Sequence, residues 1–485
     1  MKKKRFLAFA GLIALTPLSG VFAQHAGQPS KTTGQSTYNE IIQAPANENA
    51  FKYVSVAQDI QWFDAQGSAT QDAHTLLRYL QDAPSHGLNP DAYKTSDIAI
   101  LINSHVPAAN RSSAEQMLTQ AMVAYAQDMT GPRINPSAVR SSAEYWRKPL
   151  TKSEVLVKYA ATGSMDAMLK SIEPKNPLYA ALRTELRSLT QRPPSATNDN
   201  KIAQLMLNME RLRWDQDRPA RYIEVNIADQ TLNAVENGKT AQSTHIIVGK
   251  PQLQTREFTT PITGVKFNPT WHVTAGVMRR LKLPELRKDP YSLQKKNIHI
   301  FYDGELIDPG TVDWKNISTK ELAHIKMQQD PGADNALGQI RVMMEDRYLQ
   351  YLHYTNQPEL FENDQRTFSS GCMRMEEPDK IVCFILSITP ERVEELKNGG
   401  SDVSMKASHS LSFYSVYHTT TVGPDGKIQY HKDIYGRDKK LLEALEKDNA
   451  LPHRVPTTPT GPAKLSYLRQ EKRGNSRQDQ KPPLG

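Results

Sequence analysis

The spacing of apolar residues changes period once along this chain, and that change limits the fold more than any other feature. Leu76, Leu77, Leu80 and Ala83 recur at three- and four-residue intervals, as do Met117, Ala121, Ala124 and Tyr125. That is the stripe of amphipathic helices, and His86-Gly87-Leu88-Asn89-Pro90 reads as helix-breaking punctuation between them. A further helix is expected from about Lys201 to Trp214, with Ile202, Leu205, Met206, Met209 and Leu212 on one side. From Tyr222 the period becomes two. Tyr222-Ile223-Glu224-Val225-Asn226-Ile227 and Thr231-Leu232-Asn233-Ala234-Val235 alternate, and Asn237-Gly238 is a hairpin turn ahead of His245-Ile246-Ile247-Val248-Gly249. The pattern predicts an α+β chain, with a helical domain over residues 51–190 followed by a mostly β domain.

Punctuation and composition set the remaining boundaries. Residues 191–200, with two prolines and a run of small polar residues, read as a linker or a long surface loop. The second domain extends over 201–437, mostly β from about 217, and is interrupted by 275–336, whose Lys, Arg, Pro and Asp content suits a lid rather than a core. Residues 438–485 read as a helix followed by a disordered, proline-bearing tail.

The first residues speak to compartment. Lys2, Lys3, Lys4 and Arg5 precede an apolar stretch from Phe6 to Leu18, and Val21-Phe22-Ala23 offers small residues for cleavage before Gln24. This is the three-part design of a secretory signal over residues 1–23. The alternative, an uncleaved anchor, meets a short apolar run against the roughly 20 residues a spanning helix needs. Residues 24–50 are polar and small, as a flexible leader is. Four of the 60 basic residues fall in the signal, so the processed chain keeps 56 against 52 acids, a net charge of +4. That weak excess, with no basic stripe interleaved with aromatics, gives no reason to expect a nucleic-acid partner.

Two cysteines stand in different surroundings. Cys383 lies in the apolar run Ile381-Val382-Cys383-Phe384-Ile385-Leu386, where a thiol is usually a small buried hydrophobe. Cys372 lies in the turn-like Ser369-Ser370-Gly371-Cys372. A single bridge between them is the alternative reading. No zinc-type Cys/His spacing appears, so no metal site is expected. Tyr348-Leu349-Gln350-Tyr351-Leu352-His353 reads as a strand delivering His353 at its end, nineteen residues before Cys372. A thiol attacks a carbonyl well only as the thiolate, and an imidazole can take its proton and return it to a leaving amine. Gly371 permits a sharp turn, so the amides of Gly371 and Cys372 are expected to face an oxyanion. Glu376, Glu377 and Pro378 read as the first turn of a helix whose positive end helps hold the thiolate. A merely packed strand histidine is the other reading of His353.

Tyr351-Leu352-His353 and Phe368-Ser369-Ser370-Gly371-Cys372-Met373-Arg374 resemble the signature of the L,D-transpeptidase (YkuD-type) catalytic domain. Ser370 stands where that family most often has His, and Arg374 where it most often has Asn. Both occur together in the large branch that carries a helical scaffold domain. Leu212-Arg213-Trp214, Val248-Gly249-Lys250-Pro251, Phe267-Asn268-Pro269-Thr270-Trp271, Asp334-Asn335-Ala336-Leu337-Gly338 and Asp433-Ile434-Tyr435-Gly436-Arg437-Asp438 resemble that branch as well. The small peptidoglycan-binding module of many relatives has no room near residues 185–200.

The resemblance implies a β-sandwich-like catalytic domain with a lid and no metal or organic cofactor. Cys372 would be the nucleophile and His353 its base, with Ser370 orienting the imidazole through its carbonyl. Arg374 would meet a substrate carboxylate, the alternative being a structural ion pair. Trp271 and Tyr351 would line the substrate site, although Trp271 suits plain packing too. The implied partners are peptidoglycan stem peptides, as donor and acceptor in the periplasm, and the implied reaction is cross-linking through a thioester with release of D-alanine. Hydrolysis of wall peptides by the same pair, or a non-catalytic wall-binding scaffold, are the competing functions.

Overall fold

The computed structural model describes residues 60–139, 146–345, 348–448 and 450–452. The expected signal, the leader and the tail beyond residue 452 lie outside them.

The first half is helical, as its period predicts: α1 (Gln71–Gln81), α2 (Thr95–Ile102), α3 (Ala108–Thr130), α4 (Lys152–Thr162), α5 (Met165–Ser171), α6 (Pro177–Thr190) and α7 (Ala196–Trp214). Local chemistry sets the starts. Thr70 caps α1, and Thr151 with Glu154 forms a capping box on α4. Leu76, Leu80, Leu118, Tyr125 and Leu169 form one buried core through α1, α3 and α5. Helix α7 starts at Ala196, not near Lys201, because Ser195 accepts the Asn198 N–H at 3.1 Å and caps it. The polar run that reads as linker is half a helix start. Nor is the 190 boundary a break in packing, since Tyr179, Leu182, Leu186 and Leu189 of α6 share a core with α7 and with Leu441, Leu442 and Leu445 near the C-terminus.

His86-Gly87-Leu88-Asn89-Pro90 is more than punctuation. His86 and Leu88 are fully buried, the His86 Nδ1 lies 3.0 Å from the Tyr179 hydroxyl, and Arg213 donates to the His86 carbonyl at 2.9 Å. Arg213 belongs to a buried ionic cluster in α7. Glu210 accepts from Arg133 at 2.7 Å, from Arg213 at 2.6 Å and from the Trp214 indole at 2.9 Å. Burial alone would raise the Glu210 carboxyl; Arg133 and Arg213 overcome it and hold the group at about 2.

The β region contains β1 (Arg221–Asn226), β2 (Thr231–Glu236), β3 (Lys239–Gly249), β4 (Phe258–Phe267), β5 (Trp271–His272), β6 (Ile298–Tyr302), β7 (Glu305–Leu306), β8 (Ile325–Gln329) and β9 (Ile340–Met344). It continues with β10 (Leu352–His353), β11 (Thr367–Ser369), β12 (Met373–Met375), β13 (Val403–Val416), β14 (Thr420–Val422) and β15 (Ile428–Tyr430). Nine of these form one sheet in the order β11-β3-β12-β10-β9-β4-β13-β1-β2, and β2 also pairs with β3. The sheet therefore closes on itself within the expected β-rich domain. Register shifts at Ala234/Val235 in β2 and Lys406/Leu411 in β13 supply the bends that closure needs. Its core holds Ile223, Val225, Val248, Val265, Val342, Leu352, Met373 and the apolar face of a helix at Pro378–Leu386.

Segment 275–336 departs from its reading as coreless. It includes short helices at Ala275–Val277, Leu283–Leu286 and Thr319–His324, a π-turn at Met278–Lys282, and strands β6, β7 and β8, which join β5, just before the segment, in a sheet β5-β8-β6-β7. Met278, Leu283, Leu286, Leu293, Ile298, Ile300, Trp314, Leu322, Ile325 and Met327 make a separate buried cluster. The apolar residues are sparse and spread over elements too short to show a period, so charge dominates the composition while the core stays hidden.

Candidate active site

Strand pairing assembles the site. β10 runs parallel to β12 with Leu352 opposite Met373 and His353 opposite Arg374. Paired residues share a face of a sheet, and residues two apart share it again. His353 and Arg374 thus project from one face of two adjacent strands, and Cys372 immediately precedes β12. They line one cavity of about 1190 Å³, together with Ser370, Trp271 and Tyr351. Segment 275–336 lines the same cavity through Val277, Arg280, Lys282 and Lys296. The strand expected over 348–353 is only Leu352–His353. Leu349 takes φ +54° and turns the chain, and its carbonyl accepts the Cys372 thiol at 3.8 Å.

His353 is 4 % exposed. Burial, and next the Arg374 guanidinium, push its imidazole down to about 3 against the pull of backbone hydrogen bonds at Tyr354 and Leu337. The ring is therefore neutral near pH 7, the state in which it accepts a proton. The Tyr351 ring packs edge-on to His353 at 5.9 Å and carries the Arg341 guanidinium 4.2 Å above it; it lies largely in the core.

Arg374 is held from behind, donating to Thr355 Oγ1 at 3.3 Å and Gln357 Oε1 at 3.2 Å. Burial lowers its guanidinium and the Cys372 sulfur raises it. Among the described residues no salt bridge to Arg374 is found, and Glu359 raises its guanidinium from a distance.

The nucleophile turn is built around Gly371, whose φ of +119° is open to glycine and not to residues with a side chain. A Cβ there would also lie 2.5 Å from Gln350 Nε2. The Gly371 N–H donates to Ser369 Oγ at 3.0 Å, and Ser369 Oγ donates to the Cys372 carbonyl at 2.6 Å. Of the two amides expected at an oxyanion, the one on Gly371 is thus engaged inside the turn. The helix expected to support the thiolate begins only at Pro378, after the three extended residues of β12. At about 3.3 Å per residue its end is roughly 10 Å along the strand, beyond the reach of a helix terminus.

Sequence reading missed the layer beneath. Thr255 is fully buried; it donates to the Gly371 carbonyl at 2.9 Å and accepts the Gly249 N–H at 2.9 Å. The Tyr435 hydroxyl accepts the Thr255 N–H at 3.3 Å and donates to the Gly249 carbonyl at 2.6 Å, and Arg437 donates to the Thr255 carbonyl at 2.7 Å. The run Asp433-Ile434-Tyr435-Gly436-Arg437-Asp438 pointed towards this bracket; a lone loop threonine gave no signal.

Both cysteines are free. Cys383 is half-buried in its helix, and burial raises its thiol. Trp271 touches both the main core and that of 275–336, so it packs and lines the cavity at once. No group of three or more His, Cys, Asp or Glu among the described residues is placed to hold a metal ion. None of their helices is long and apolar enough to cross a membrane.

Two family descriptions match this chain: Scaffold domain over residues 53–186, and L,D-transpeptidase catalytic domain over residues 220–392. A Haemophilus influenzae protein named "Putative L,D-transpeptidase" is 28% identical over 279 residues, covering 56% of this chain and 55% of that relative. The chain thus spans about half the length of this relative. Among solved structures, the Ldtfm–avibactam carbamoyl enzyme is 12% identical with a TM-score of 0.20, covering 41% of this chain and 51% of that one. Mycobacterium tuberculosis L,D-transpeptidase 1 is 11% identical with a TM-score of 0.18, covering 41% and 61%. The chain thus carries, in order, a region matching the scaffold domain and a region matching the L,D-transpeptidase catalytic domain.

Proposed function

We propose that this protein is a periplasmic peptidoglycan L,D-transpeptidase that joins third-position diamino acids of two stem peptides through a thioester on Cys372. Supporting it most is the cavity that His353, Arg374 and Cys372 line together, with His353 and Arg374 paired across β10 and β12. Cys372 Sγ attacks the carbonyl of the third residue of a tetrapeptide donor and its proton goes to His353. The Cys372 N–H meets the oxyanion. Collapse breaks the peptide bond, and His353 returns the proton to the departing D-alanine amine. The side-chain amine of a second stem then attacks the thioester; His353 takes the amine's proton and gives it to the leaving thiolate, restoring Cys372. Arg374 meets a donor carboxylate, with Trp271 and Tyr351 along the peptide path. Segment 275–336 covers the thioester, so that a positioned amine outcompetes water at about 55 M.

The test is the purified protein with defined tetrapeptide muropeptides, read by mass spectrometry. The proposal expects cross-linked dimer and free D-alanine. Trimmed tripeptide alone would establish a hydrolase using the same pair, and no product with either peptide would leave a non-catalytic wall-binding scaffold.

A further inference from the structure

The Gly371 carbonyl and the Cys372 N–H belong to one peptide unit, and the described chain contains no cis peptide bond. A trans peptide is planar, with its C=O and N–H pointing in opposite directions. Whatever holds the carbonyl therefore aims the amide. The carbonyl is held by Thr255, from the buried side. The amide is thereby directed to the other side, where Cys372 lines the cavity. With the Gly371 N–H engaged by Ser369 Oγ, the orientation of this second peptide carries the full weight of oxyanion binding in the turn.

We infer that Thr255 is a positioning residue, which locks the Gly371–Cys372 peptide so that the Cys372 N–H is aimed at the oxyanion of the proposed acyl transfer. The inference rests on the proposed acyl transfer at Cys372. The threonine is itself fixed from three directions: its hydroxyl accepts the Gly249 N–H, Tyr435 accepts its N–H, and Arg437 takes its carbonyl. The lock thus ties the nucleophile turn to the end of β3 and to the C-terminal motif, two parts of the chain remote in sequence. It needs a hydroxyl that donates and accepts together. Valine fills the same space and does neither; serine does both.

The experiment compares Thr255→Val and Thr255→Ser with the parent in two reactions of the same thiol. One is acylation by the donor tetrapeptide, followed by intact mass. The other is alkylation by iodoacetamide, read at Cys372 by peptide mass; sulfur displaces iodide at carbon, and no carbonyl oxyanion forms. Loss of an oxyanion donor costs about 10²–10³-fold in rate. Thr255→Val is expected to lose acylation on that scale while alkylation changes by less than about threefold, and Thr255→Ser to recover most of the acylation rate. Unchanged acylation in a folded Thr255→Val protein overturns the inference. So does an equal fall in both reactions without rescue by serine, which is the mark of a collapsed turn. If the parent itself shows no acylation, the transfer reading fails, and the lock is judged by a crystal structure of Thr255→Val. A rotated Gly371–Cys372 peptide supports it there, and an unmoved one overturns it.

Discussion

Replacing His353 with Gln should make the protein more resistant to acid, by an amount that the burial of the ring fixes. In the folded chain the imidazole sits at about 3, against about 6.5 when unfolded. Between those values the unfolded chain binds a proton that the folded chain refuses, so the histidine costs stability as pH falls through that window and nothing above it. The slope approaches about 1.4 kcal/mol per pH unit, and between pH 7 and 4.5 the difference sums to about 2.5 kcal/mol. Glutamine has similar bulk and does not titrate. Other histidines, such as buried His418, are common to both proteins and cancel in the comparison. Urea denaturation of both proteins at pH 7, 5.5 and 4.5 gives the gap at each pH. The gap should move in favour of His353→Gln by about 2.5 kcal/mol, a ceiling because cavity water can reach part of the ring. The acid limb of Cys372 acylation should likewise lie well below pH 6.5. A gap that stays constant with pH would mean that His353 protonates freely in the folded protein, and the neutral-base argument would fail.

Other expectations follow from particular contacts. A Cβ on Gly249 would meet the Leu253 carbonyl oxygen at 2.1 Å and the Thr255 nitrogen at 2.9 Å. Gly249→Ala should therefore lower stability by about 1–3 kcal/mol and slow acylation; a calorimetric melt and a rate both at parent values would refute the bracket. Leu286 is fully buried in the core of 275–336. Leu286→Ala should destabilise that segment by about 2–5 kcal/mol, increase protease cleavage within it, and shift product from dimer to tripeptide; an unchanged product ratio in a loosened segment would end the shielding role. Glu210→Gln strands the buried Arg133 and Arg213 and should cost about 3–5 kcal/mol at pH 7, measured by denaturation; a loss well under 1 kcal/mol would show that water already reaches the cluster.

What could be read from the sequence divides along physical lines. Regular periods were legible: Leu76, Leu80 and Tyr125 are buried where their spacing put them, and the Asn237-Gly238 turn joins β2 to β3. Cys372 and His353 were legible because thiol and imidazole are rare, and their flanking motif narrows the possibilities. Where the reading slipped, composition had stood in for geometry. The charge of 275–336 concealed a core scattered over short elements, and the polar run before Ala196 concealed a cap. The supposed helix support for the thiolate assumed that adjacency in sequence means adjacency in space, yet β12 intervenes. Arg213 and Glu210 were invisible as a pair because nothing in a helical sequence says which charges face inward. Thr255 was beyond reach, since its meaning lies in a carbonyl 116 residues away.

The most direct test of the account is to find where the acyl group goes. The protein is incubated briefly with donor tetrapeptide lacking any acceptor, quenched in acid, digested and mapped by mass spectrometry, alongside Cys372→Ala and Cys383→Ala. The account predicts a tripeptidyl thioester on Cys372 with one D-alanine released, the same adduct in Cys383→Ala, and none in Cys372→Ala. Release of D-alanine by Cys372→Ala, or an adduct on Cys383, would contradict it.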